Sequence, residues 1–193
     1  RLGLIAFAGA SFLECPLTID ISAFKLFLHS VSVGFIPDQG TALAQAIDEA
    51  LRSFQTKTLK DKVVIVLSDG EDHEGSIDAI VKKARKYGVR IYAIGIGKKD
   101  GAPIPIKDKY GALKGHKKDD SGTVVLTRLQ DSVLRALADN TGGLYFPATA
   151  QEKEVDLIVR HMDEIEKSDF NEKLYAQKEE RYHIFLLLAV VFL

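Results

Sequence analysis

Two short segments of this 193-residue sequence combine oxygen-bearing side chains with glycine where an apolar run begins or ends. The first, Gln39-Gly40-Thr41, opens a stretch in which Leu43, Ala46, Ile47, Ala50, Leu51 and Phe54 recur at three- and four-residue intervals. The second, Ser68-Asp69-Gly70-Glu71-Asp72, follows directly on the β-branched run from Lys62 to Leu67. A hydroxyl and a carboxylate are hard oxygen donors, so Thr41 and Asp69, if brought together, suit Mg²⁺ or Mn²⁺. Each also has a plainer reading, Thr41 as a helix N-cap and Asp69 as a turn residue before Gly70. The cluster Glu71, Asp72, His73 and Glu74 reads as a solvated acidic loop beside such an ion, with hydrolytic acid–base chemistry as its alternative.

Other chemistry has weaker support. His29, His73, His116, His161 and His183 are scattered, with no pair at the helical spacing a zinc site needs. Gly95, Gly97 and Asp100 make only part of a dinucleotide fingerprint, and no G-x-x-x-x-G-K-[ST] loop occurs. Asp119, Ser121 and Thr123 have the right residue types for a cation but follow no strand, which makes them a loop. With 26 basic and 27 acidic residues, a net charge of -1 gives no electrostatic footprint for nucleic acid. Cys15, the only cysteine, cannot form an internal disulfide and reads as a small buried hydrophobe.

The elements that must position these residues follow from periodicity. Leu2 and the run Leu4 to Phe7 predict a strand, GASFLECPLT a turn-rich link, and Ile21, Phe24, Leu26, Phe27 and Leu28 a short helix. The segment VGFIPDQG predicts a loop, and the stripe beginning after Thr41 a long amphipathic helix. Lys62 to Leu67 predicts a central strand covered on both faces. A helix over Ile77 to Tyr87, capped by Ser76 and ended by Gly88, leads to a buried strand over Val89 to Ile96. Residues 97–124 predict a surface excursion, with a hairpin pairing Ile104 and Ile106 to Ala112 and Leu113. A helix over Asp131 to Asn140, a strand over Leu144 to Phe146 and an amphipathic helix through Val155, Ile158, Val159, Met162 and Ile165 complete the pattern. Strand and helix alternating in this way predict a doubly wound α/β fold with a mostly parallel sheet, in which ligands collect at the carboxyl ends of the strands. Residues 1–150 form the domain and 151–182 a final helix with a charged juxtamembrane stretch. Residues 183–193 start a transmembrane helix. The apolar run Ile184 to Leu193 is about half of the ~20 residues a spanning helix needs, with Arg181, Tyr182 and His183 as interfacial anchors.

PDQGTALAQAI followed by KVVIVLSDGEDHEG resembles the second and third parts of the metal ion-dependent adhesion site of von Willebrand factor type A domains. LGLIAFAG, PLT, QGTAL, LSDGEDHEG, IYAIGIG, GAPIPI and TGGLYF resemble, in this order, the membrane-anchored A-domain proteins of the bacterial Bacteroides aerotolerance (Bat) operons. The resemblance implies that Thr41 and Asp69 are metal ligands for Mg²⁺ or Mn²⁺, with Gln39, Gly40, Glu71, Asp72 and His73 around the partner-binding rim. It further implies that the family's Asp-x-Ser-x-Ser motif precedes residue 1. The sheet then lacks its first, central strand, and the fragment alone is unstable. The expected function is that of a protein-binding module rather than an enzyme, part of a bacterial envelope complex for stress or aerotolerance. Such a module takes no small-molecule substrate and no nucleic acid. The expected location is the bacterial inner membrane, with the domain in the periplasm. The alternative is a metal-dependent hydrolase or a phosphate-accepting domain using Asp69.

Overall fold

The computed structural model describes residues 1–32, 34, 36, 40–55, 61–71, 77–108, 110–119 and 121–176. Leu2–Phe7 (β1) and Ser11–Thr18 (β2) pair antiparallel about a turn at residues 8–10, with Phe7 opposite Ser11 and Leu2 opposite Thr18. Ile21–Ser30 (α1) follows, capped by Asp20, whose carboxylate accepts the Ala23 N–H at 2.9 Å. Leu43–Gln55 (α2), Lys62–Ser68 (β3), Ile77–Lys86 (α3) and Val89–Gly95 (β4) then alternate, and β3 lies parallel to β4 in unbroken register from Lys62↔Val89 to Ser68↔Gly95. The excursion holds Ala102–Pro103 (β5), Pro105–Lys107 (β6), Leu113–His116 (β7) and Leu126–Thr127 (β8), with β5 antiparallel to β8 and β6 antiparallel to β7. Asp131–Asp139 (α4) leads to Tyr145–Pro147 (β9), which runs parallel to β4. Residues 1–150 make one compact unit, and the second unit begins at Gln151 and carries Lys153–Ala176 (α5).

The helical stripe read from the sequence is what buries α2. Leu43, Ile47, Leu51 and Phe54 all lie in the core, together with Ile80, Val81 and Ala84 of α3, Ile91 and Ala93 of β4, and Leu134, Leu137 and Ala138 of α4. Full burial of each large side chain contributes about 1.5–3 kcal/mol, which outweighs the lower helix propensity of the β-branched Ile47, Ile80 and Val81. α3 closes at Gly88, whose φ of +63° suits glycine and whose N–H donates to the Arg85 carbonyl at 3.1 Å. Thr141, just past α4, ties that helix to β4. Its hydroxyl donates to the Leu137 carbonyl at 2.8 Å and accepts the Ile91 N–H at 3.0 Å.

Four expectations need correction. GASFLECPLT is no simple link, because residues 11–18 form β2; Pro16 hid the strand, yet pairing with β1 is irregular enough to accommodate it. β3 is not central among the described strands, since the three-stranded sheet runs β3-β4-β9 with β4 in the middle. Nor is β3 covered on both faces: Ile65 is 48% and Leu67 56% exposed, while Val66 between them is buried. Among the described residues the second edges of β1 and β3 carry no strand partner. In the hairpin, Leu113 does face a β6 residue, but that residue is Lys107, and Ile106 lies opposite Gly115. The apolar run 184–193, its anchors Arg181, Tyr182 and His183, and the expected cap Ser76 lie outside the described residues. Among the described residues no helix is long and apolar enough to cross a membrane.

Candidate metal-binding site

β3 delivers the acidic turn. Its last residue, Ser68, is buried; its carbonyl accepts the Ile96 N–H at 2.8 Å and its hydroxyl accepts the Gly70 N–H at 3.0 Å. Asp69 is half-buried, and its carboxylate has two set partners. Oδ1 accepts the Glu71 N–H at 3.2 Å, and Oδ2 accepts the Thr127 hydroxyl at 2.9 Å. Two further bonds come from the same downstream stretch: the Gln130 N–H donates to the Asp69 carbonyl at 2.7 Å, and the Arg128 N–H to Glu71 Oε1 at 3.1 Å. Residues 127–130 therefore grip the turn 69–71 from one side. Gly70 makes the grip possible, because its φ is +78° and a Cβ there would run into the Gln130 carbonyl oxygen and the Leu134 side chain.

Thr41 is not the N-cap of α2. The helix begins at Leu43 and the Ala42 carbonyl accepts the Ala46 N–H at 3.0 Å, so Ala42 takes the capping place and Thr41 precedes it. The stretch around Thr41 is fixed against the β1–β2 turn. Ala42 N–H donates to the Ala8 carbonyl at 2.6 Å, and the Gly40 backbone, at a φ of +139°, approaches Gly9. Thr41 itself is half-buried, and among the described residues its hydroxyl has no hydrogen-bond partner. Asp69 likewise has no cationic partner among the described residues.

The available donors are carboxylate and hydroxyl oxygens, a set that fits a hard divalent cation and would not select zinc. Among the described residues no three His, Cys, Asp or Glu side chains gather to hold an ion by themselves. Of the expected rim, Gly40 and Glu71 are described, while Gln39, Asp72 and His73 lie outside the described residues. Sequence reasoning missed Thr127. Its hydroxyl reaches Asp69 across 58 positions of the chain, a separation that no local pattern encodes. Asp119, Ser121 and Thr123 form the expected exposed loop. The Asp119 carboxylate accepts the Ser121 hydroxyl and the N–H groups of Ser121 and Thr123, and these bonds hold its pKa below the ordinary value.

The model of the von Willebrand factor type A domain matches residues 1–105. The chain is 33% identical to an aerotolerance-related membrane protein from Bacteroides fragilis, covering 84% of this chain and 78% of that one with a TM-score of 0.75. It is also 33% identical, with the same coverage and a TM-score of 0.74, to the conserved hypothetical protein BatB from Bacteroides thetaiotaomicron. An uncharacterized protein of Borreliella burgdorferi is 25% identical over 98% of this chain, which spans 53% of that relative's length. The chain belongs to the von Willebrand factor type A domain family.

Proposed function

We propose that this domain is a cation-dependent protein-binding module of a bacterial membrane protein, in which Thr41 and Asp69 hold Mg²⁺ or Mn²⁺ and a partner's carboxylate completes the coordination. The observation that carries the reading is the state of Asp69: a carboxylate at the exit of a parallel strand, oriented by Thr127 and Glu71 and without a cationic side chain among the described residues. Chain geometry supports its pairing with Thr41. α2 has 13 residues, about 20 Å at 1.5 Å per residue, and β3 has 7, about 23 Å, so a helix folded back on the next strand starts near that strand's end. The ion, when bound, supplies a positive centre with an open position for an acidic ligand. Thr41 contributes a neutral oxygen and Asp69 a charged one. Gly40 and Glu71, with Gln39, Asp72 and His73, then shape the rim that the partner meets.

The remaining ligands belong, on this reading, to an upstream Asp-x-Ser-x-Ser segment whose strand sits between β1 and β3. The edges of both strands that carry no partner among the described residues, and the exposed Ile65 and Leu67, support that placement. Because its Bacteroides relatives are a membrane protein tied to aerotolerance and a BatB protein, we extend the reading to a stress-related complex of the inner membrane. In it residues 184–193 begin the tether and the domain faces the periplasm. The test is calorimetric titration of Mg²⁺ and Mn²⁺ into the full-length protein and its Thr41→Ala and Asp69→Ala variants. Each variant is expected to bind at least about ten-fold more weakly while keeping its circular dichroism. Unchanged affinity in both variants removes the proposal.

A further inference from the structure

The excursion between β4 and α4 carries a hairpin that the cation site does not use. β6 and β7 are joined by a tight turn in which the Gly111 N–H donates to the Asp108 carbonyl at 2.9 Å and the Asp108 N–H to the Ala112 carbonyl at 2.9 Å. The Asp108 carboxylate is drawn into the same turn, accepting the N–H groups of Tyr110 at 2.8 Å and Ala112 at 3.0 Å. Large side chains with apolar surface are exposed on this hairpin: Tyr110 is 83%, Leu113 60% and Ile106 48% exposed. Residues 102–118 hold five lysines, Lys107, Lys109, Lys114, Lys117 and Lys118, against one acid, Asp108, in a chain whose net charge is -1.

We infer that the tip of the β6–β7 hairpin docks onto an anionic lipid bilayer. Charge complementarity is the ground for choosing this occupant. Residues 102–118 have a local excess of four positive charges, five lysines less one aspartate, and that carboxylate is taken up by turn N–H groups. A bilayer rich in anionic headgroups offers a negative plane that several lysines can meet together, and each adds roughly five-fold to binding. The apolar side chains decide between a membrane and a soluble polyanion. A tyrosine, a leucine and an isoleucine exposed on one hairpin suit the headgroup boundary, where a tyrosine ring body is dry and its hydroxyl wet. A polyanion in water would leave those three side chains exposed. This inference does not rest on the cation site or on the tether at residues 184–193.

The experiment uses the full-length protein in vesicles, with the photo-crosslinking residue p-benzoylphenylalanine in place of Tyr110. A control carries the same residue in place of Lys82, on the exposed side of α3. In vesicles of phosphatidylcholine containing phosphatidylglycerol, position 110 is expected to yield lipid adducts and position 82 none. The adduct yield at 110 is expected to fall by at least about five-fold in pure phosphatidylcholine, and again when Lys114→Glu and Lys118→Glu are combined. Adducts at 110 no more abundant than at 82, yields indifferent to phosphatidylglycerol, or crosslinks to protein in place of lipid each overturn the inference. The two positions share one anchor and one fold, so neither an absent tether nor a silent cation site can produce the difference.

Discussion

Replacing Gly70 by alanine tests whether residues 127–130 really set the shape of the acidic turn. Two costs are expected. A φ of +78° disfavours any Cβ by about 1–2 kcal/mol. In addition, the new methyl would collide with the Gln130 carbonyl and the Leu134 side chain, so the backbone must shift, at about 1–3 kcal/mol more. Gly88→Ala is the internal standard. Its φ is +63°, yet a Cβ there meets nothing within 4 Å, so only the conformational cost applies. In urea unfolding of the full-length protein, Gly70→Ala should therefore lose about 1–3 kcal/mol more than Gly88→Ala. If the proposed cation site is correct, the displaced turn should also weaken Mg²⁺ binding while Gly88→Ala does not. Equal destabilisation by the two variants would show that the grip is not a tight fit and would refute the reasoning.

Two other outcomes follow from the same packing. Residues 1–193 alone should lack a cooperative thermal melt, because among the described residues the second edges of β1 and β3 carry no strand partner and leave ladder groups and apolar side chains uncovered; a cooperative melt by circular dichroism of residues 1–193 alone would refute this. Tyr145→Phe should leave stability at neutral pH unchanged or raised, since the buried Tyr145 hydroxyl has no hydrogen-bond partner among the described residues. Burial, reinforced by the nearby Asp131 charge, raises the Tyr145 pKa above its ordinary 10.0. The folded chain thus holds that proton more tightly than the unfolded one. The stability this gives is complete below the ordinary value and is lost as pH climbs through the folded value. The phenylalanine variant should lose less stability between neutral and strongly alkaline pH than the parent, and an identical alkaline loss in urea titrations would contradict the assignment.

The core was legible in the sequence wherever one periodicity dominated. Leu43, Ile47, Leu51 and Phe54 fall on one helical face, and Val89 to Ile94 is a strand whose apolar run needs cover on both sides. The sequence misled where two strands look alike. The run over residues 63–67 is as apolar as β4, yet among the described strands β4 has a neighbour on each edge and β3 on one, and an apolar run cannot announce how many neighbours it will have. β2 was hidden by Pro16, a residue that argues against a strand until a partner with an irregular register is at hand. At the candidate site, Asp69 and Thr41 stood out because each lies at the end of a regular element. Thr127 did not, since its role exists only after the excursion has folded back onto the turn.

That return has a practical reach beyond the site. The outline of residues 69–71 is moulded by a stretch lying on the far side of a thirty-odd-residue detour, by backbone N–H groups as much as by side chains. Transplanting the acidic turn into a related domain would therefore copy its letters without its contour unless residues 127–130 travelled with it. Variation in the detour between relatives is a way to retune the turn while every residue in it stays the same.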